Sequence, residues 1–267
     1  MRARHGLGVF GAAARLGFKQ ACAERLSLLG NFLMYAVILL AYAGVFRWIP
    51  ADVLAAHHVT VEGLIAYLGV TEFVLFCAAT AHYKEMQSDI LSDQIHLELL
   101  RPCPAWVVRL GDWSGQYAVR FFVLFVPCAA LIFFLTEGVV PSVGAVVGML
   151  AGLPLAGLIL LGSYFMVGVS CLWLKQAEPA FWVWQKALFL LGGLLWPLAL
   201  YPDLLARLVW LTPFPSVLAA PAGWMVGADV LPLVAGYLHQ GFWTLVLLVL
   251  VAKTNGAMLR RIQNEGA

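Results

Sequence analysis

The sequence predicts an all-α integral membrane protein with six transmembrane helices, on three observations: its composition, the spacing of its charges and their sidedness. Of 267 residues, 63% are hydrophobic and 11% charged, against roughly 45–50% apolar and about 25% charged in an ordinary soluble domain. Mean hydropathy is +0.89. A soluble fold of this size has no interior large enough to hide so much apolar surface. Composition therefore argues against a soluble enzyme and a disordered chain. A net charge of +2 implies no basic surface for nucleic acid.

A spanning helix needs about 20 mostly apolar residues. The uncharged runs supply six: Leu26–Phe46, Gly63–Tyr83 (interrupted by Glu72), Phe121–Thr136, Gly138–Leu174, Ala187–Pro202 and Val230–Ala252. The third and fifth extend backwards past Arg120 and Lys186. The fourth is overlong for one straight helix and has Pro141 and Pro154 as sites for a bend. A further uncharged stretch, Leu208–Ala228, carries Pro213, Pro215 and Pro221. Proline breaks helices, so the segment 203–229 reads as external, with short helices at the membrane face before the last span. No linker or repeat divides the chain, and 1–267 forms a single domain.

Lys and Arg fix the orientation. With the N-terminus in the cytoplasm, fourteen of the sixteen basic residues fall inside; only Arg47 and Arg207 fall outside. Six spans then leave both termini cytoplasmic. The first 28 residues carry Arg2, Arg4, Arg15 and Lys19, with Leu7, Phe10, Ala14, Phe18 and Ala21 at spacings of three and four. That pattern predicts a helix lying in the interface. The apolar stretch Gly6–Ala14 is too short and Gly-rich for a secretory signal. None of the five cysteines falls in an external loop and no C-x-x-C occurs, so neither a disulfide nor a metal site is expected.

The most polar stretch, 84–120, reads KEMQSDILSDQIHLELLRPCPAW at its start. Met86, Ile90, Ile95, Leu97, Leu99 and Leu100 are interleaved with Asp89, Asp93 and Glu98. A plain connector needs no such apolar residues, whereas a short amphipathic helix docking on a partner does. Pro102 ends any such helix near Arg101.

Here the sequence resembles permeases of the ABC type-2 transporter class, in the bacterial branch whose first cytoplasmic loop carries D-I-x-S-G followed by L-L-R-P. The matching residues are Asp89, Ile90, Ser92, Leu99, Leu100, Arg101 and Pro102; Asp93 stands where that branch usually has glycine. The basic N-terminus, six spans and proline-rich external segment also match, so the resemblance covers nearly the whole chain. It implies half of a translocation path in a bacterial cytoplasmic (inner) membrane, paired with a second permease half, identical or related. Two copies of a cytoplasmic ABC ATPase would bind ATP and Mg and dock on the N-terminal helix and the 84–120 loop. Asp89, Ile90, Glu98, Leu99, Leu100, Arg101 and Pro102 would form the coupling surface. Outward transport is the usual direction. Consistent with that division of labour, the chain has no G-x-x-x-x-G-K-[ST] and so no cradle for ATP phosphates. No cofactor and no catalytic residue is expected in this chain itself.

Two polar residues within the spans are candidates for the path. A charge at bilayer depth is costly, so Glu72 either contacts substrate or protons or ties helices together. His239, inside the last span, either titrates near neutral pH or bonds a neighbouring helix. The tryptophans, Trp113 and Trp224 among them, read as interfacial belts, and Gly148, Gly152, Gly157, Gly162 and Gly168 as sites of close helix packing. A proton-coupled secondary transporter using Glu72 and His239 is the alternative function. An intramembrane serine protease is disfavoured: Ser114–Gly115 lacks the G-x-S-G context and His239 has no evident serine partner.

Overall fold

In a computed structural model, the described residues are 2–50, 54, 59–99, 103–138, 141–194, 196–227 and 232–265; the side chains of 2–5, 97, 99 and 265 are set aside. Every regular element among them is helical: α1 (Arg2–Ala23), α2 (Arg25–Phe46), α3 (Val61–Cys77), α4 (Ala81–Leu91), α5 (Ile95–Leu99), α6 (Ala105–Leu135), α7 (Val143–Val169), α8 (Cys171–Leu174), α9 (Glu178–Leu191), a 3-10 turn (Leu198–Leu200), α10 (Asp203–Val209), α11 (Phe214–Val217), α12 (Ala219–Val226) and α13 (Leu233–Glu265). Among the described residues, five spans are long and apolar enough to cross a membrane: α2, α3 with α4, α6, α7 with α8, and α13. The chain is thus an all-α protein of multi-pass membrane character.

The expected crossing over Ala187–Pro202 takes a different form. α9 has 14 residues, about 21 Å at 1.5 Å per residue, short of a roughly 30 Å hydrocarbon layer. The Gly192–Gly193 pair ends it, and Gly193 takes φ +70°, a conformation glycine enters without a Cβ clash. Pro197 then precedes only a 3-10 turn. The overlong fourth span is resolved by Ser142, whose hydroxyl accepts the Ala145 N–H at 3.1 Å. The helix begins after Pro141 and runs through Pro154.

α7 is the hub of the core and packs against α13, α4, α12 and α6. Its glycines receive the neighbours. Gly157 faces the ring of Tyr117, Gly152 faces Trp224 and Gln240, Gly162 faces Val251, and Gly168 faces Met86. The small-residue stripe is thus the site of close packing within this chain.

α6 has 31 residues and is about 46 Å long, so roughly a third of it extends past the hydrocarbon layer. Its first half, 105–120, lies within the stretch expected as a loop. α1 packs along this half, with Gly17 against Asp112, Phe10 against Gly111 and Ala14 against Gly115. The buried stripe of α1 is Ala13, Gly17 and Ala21; Leu7 and Phe18 face outward. The helix uses its smallest residues because the approach to α6 is backbone to backbone.

Helix directions sort the bundle ends. α7 runs antiparallel to α6, since Tyr117 meets Gly157 while Phe125 and Phe133 share a crevice with Met149 and Val143, and parallel to α13, since Gly148 meets Leu233 and Gly162 meets Val251. One end therefore collects α1, α4, α5, the start of α6 and the ends of α7 and α13. The opposite end holds Arg47, which donates to the Leu135 carbonyl at 3.4 Å, and the entry into α13.

The proline-rich segment forms short helices, as expected: α10 is largely exposed, while the stretch from α11 packs into the bundle. Pro215 to Trp224 are buried, and α12 packs between α3 and α7. The segment re-enters the bundle, where irregular backbone at membrane depth is tolerated because protein surrounds it. Two tryptophans depart from the belt: Trp113 is wholly buried against His82, and Trp224 is buried beside Gly152 and Gly236.

Candidate functional site

The polar groups described in this apolar bundle concentrate in three places, the first being the α4–α5 hairpin. Met86, Ile90 and Ile95 are buried within the chain. His82 stacks on Trp113 with ring centroids 4.7 Å apart. The outward face carries Ser88, Ser92, Asp93 and Leu91, the last 58% exposed. The two helices join at Asp93, whose φ of +61° lies in the left-handed region that aspartate enters more readily than most residues.

Arg109, from α6, holds the hairpin closed. Its Nε donates to Glu98 Oε2 at 3.1 Å, its Nη2 lies 2.7 Å from Glu98 Oε1, and Nη2 also donates to Asp89. The three side chains are 15–22% exposed, enough to keep water partly away from the pairs. On its other flank α4 is tied to α9. The Ala177 N–H donates to Gln87 Oε1 at 2.5 Å, Tyr83 stacks on Phe181 at 4.2 Å, and Lys84 approaches Glu178 at 3.9 Å.

Of the expected coupling residues, the fold joins Asp89 and Glu98 through Arg109 and turns Ile90 inward. Leu99 closes α5, its side chain outside the described set. Leu100, Arg101 and Pro102 lie outside the described residues. Arg109 is absent from the expected set because it lies 20 and 11 residues from its partners, a spacing no local helical pattern encodes.

The second place is the buried charge inside the helices. Glu72 is 6% exposed and has no hydrogen bond or ion pair among the described residues. Around it, the Tyr35 hydroxyl donates to the Gly69 carbonyl at 3.1 Å, and Thr71 donates to the carbonyls of Leu68 at 2.9 Å and Leu194 at 3.4 Å. Arg120, half-way along α6, is also buried, and its Nη1 finds no partner among the described residues. No ion pair joins these two charges.

The third place pins the re-entrant segment to α13. His239 Nε2 lies 2.8 Å from the Trp210 carbonyl. An unprotonated nitrogen would repel that oxygen, so Nε2 carries the proton and Nδ1 is the acceptor. Ser216 then donates to Nδ1 at 2.5 Å. Trp243 Nε1, 3.2 Å from the same Nε2, contributes ring contact rather than a hydrogen bond to it. One residue on, Gln240 donates from Nε2 to the Ser216 carbonyl at 2.7 Å, while its Oε1 has no partner among the described residues. His239 therefore has the serine partner that its sequence context did not reveal. Ser216 is wholly buried and His239 half-buried, and their bond pins the short helix α11 to α13. Glu72 and His239 are not brought together: no hydrogen bond links them, and their neighbours lie on different helices.

Two apolar crevices lie in line along the α6–α7 seam. One, of about 550 Å³, is lined by Phe125, Cys128, Phe133, Val143 and Met149. The other, of about 610 Å³, is lined by Ser114, Tyr117, Phe122, Pro154 and Leu161. Comparison with known proteins finds no family model and no curated protein that matches this chain.

Proposed function

We propose that this chain is the membrane-spanning permease half of an ABC type-2 transporter in a bacterial cytoplasmic membrane, moving a substrate outward with energy from a separate cytoplasmic ATPase. The observation that carries the reading is the α4–α5 hairpin. It buries its apolar residues in its own bundle, is fastened to α6 and α9 by hydrogen bonds and charge pairs, and still presents Leu91 beside Ser88, Ser92 and Asp93 at the end shared with α1. An element so anchored on one side and bare on the other suits the transmission of a push from outside. The residues that resemble the ABC type-2 loop lie on it, and the bundle end that holds it also holds most of the basic residues, as a cytoplasmic end does.

In this reading a second permease half completes the path, and two copies of a P-loop ATPase supply ATP and Mg binding. A proton relay between Glu72 and His239 has less support, because no hydrogen bond links the two and His239 is committed to Ser216 and Trp210. The test is co-purification from the native membrane in mild detergent, followed by ATPase assays in lipid. A soluble partner carrying G-x-x-x-x-G-K-[ST] is expected, and Leu91→Arg is expected to release it while the permease stays inserted. Recovery of the permease with no P-loop protein would overturn the proposal.

A further inference from the structure

Resting on that reading, we infer that Arg109 is a positioning residue for energy coupling: its guanidinium fastens the ends of α4 and α5 to α6 and sets the angle at which the hairpin meets the ATPase. The argument is geometric. The hairpin has three ways to move. Its α4 stem is held by Met86 under Gly168 and by the His82–Trp113 stack. Its α9 flank is held by Gln87 and Tyr83. Its far end, beyond the turn at Asp93, is α5, a single helical turn too short to be stable alone, which one core side chain, Ile95, draws inward. Asp89 lies just before that turn and Glu98 just after it. Without a cation between them, two carboxylates would face one another across the turn and push it open. Arg109 supplies that cation with a planar fork that engages Glu98 through two nitrogens and Asp89 through one of them; a lysine has no such fork. The clamp therefore gives the docking element one orientation relative to α6, and through α6 relative to the seam with α7.

The test compares wild type with Arg109→Ala, Arg109→Lys and the exchange Asp89→Arg with Arg109→Asp, which keeps one cation and two carboxylates in the cluster. Two readouts are taken on full-length protein in lipid nanodiscs: backbone hydrogen exchange over residues 84–99 in the permease alone, and ATPase recovery by the tagged permease. Arg109→Ala is expected to speed exchange about tenfold and to lower ATPase recovery comparably, with α7 and α13 unchanged. Arg109→Lys should fall between, and the exchanged pair should restore both readouts. Unchanged exchange in Arg109→Ala would overturn the clamp. Faster exchange with wild-type ATPase recovery would overturn its role in docking, as would failure of the exchanged pair to rescue. If Arg109→Ala does not insert, the lysine variant and the exchanged pair decide by the same readouts. A wild-type permease that recovers no ATPase refutes the permease reading instead, while the exchange measurement still judges the clamp.

Discussion

Replacing Ser216 with alanine should loosen the re-entrant segment without unfolding the bundle. Ser216 is wholly buried, and its hydroxyl donates to His239 Nδ1. The Trp210 carbonyl holds His239 in the Nε2–H tautomer, so Nδ1 cannot become a donor unless that second bond is also given up. The substitution removes one hydrogen bond, worth about 1 kcal/mol net, and strands an acceptor, worth about 1–3 kcal/mol where water is excluded. His239 is only half-buried, which lets water recover part of the loss, so about 1–2 kcal/mol remains. That corresponds to a rise of roughly 5- to 30-fold in the opening of residues 214–226. Hydrogen exchange in nanodiscs, read on peptides covering 214–226, measures it directly. Ser92→Ala, which removes an exposed bond to the Ser88 carbonyl, serves as the control and should leave those peptides unchanged. Exchange in 214–226 equal to wild type, or loosening spread evenly over α7 and α13, would refute the claim that this bond pins the segment.

Glu72→Gln should leave the chain at least as stable, because it removes a charge whose cost at bilayer depth is about 2.5–3.5 kcal/mol and orphans no described partner; transport in proteoliposomes should be lost if Glu72 lies on the path. A fall in thermal stability would show instead that Glu72 ties helices together. Gly168→Leu places a Cβ 2.6 Å from Met86 Cβ and 3.0 Å from the Tyr83 carbonyl. An overpacking cost of about 1–3 kcal/mol exceeds the gain of about 1 kcal/mol in helix propensity; faster exchange confined to α4 and weaker ATPase recovery should follow. Asp93→Val should destabilise the α4–α5 turn by about 1–2 kcal/mol, since a β-branched side chain is poorly placed at φ +61°, while Asp93→Gly should be tolerated; exchange over 84–99 distinguishes them.

Spans set by long uncharged runs were legible, because length and composition alone determine whether a helix can cross. α2, α3 and α13 fall where the runs place them, and α7 starts where Ser142 follows Pro141. Over Ala187–Pro202 apolarity alone does not distinguish a continuous helix from a chain reversal, and the Gly192–Gly193 pair ends α9 after 14 residues. The prolines around Ser216 forbid a lone lipid-exposed helix, and what the local sequence does not encode is that α3, α7 and α13 offer this segment a packed seat. The amphipathic pattern of 84–99 is legible in the sequence, but where its apolar residues go is not: Met86, Ile90 and Ile95 enter the chain's own core. The Arg109 clamp and the Ser216–His239 bond depend on tertiary proximity alone and leave no trace in local spacing.

The seat of α1 has a consequence for synthesis. That helix is finished at Ala23, whereas the glycines that receive it, Gly111 and Gly115, emerge about 90 residues later. At about 5–20 residues per second the delay is roughly 5 to 20 s. Throughout it the ribosome-tethered chain holds a helix whose small-residue stripe has nothing to close against, while α2, joined to it at Glu24, is already being inserted. α1 must therefore wait on the bilayer surface or on a chaperone. Its seating on α6 marks the moment when the first half of the chain becomes a single body.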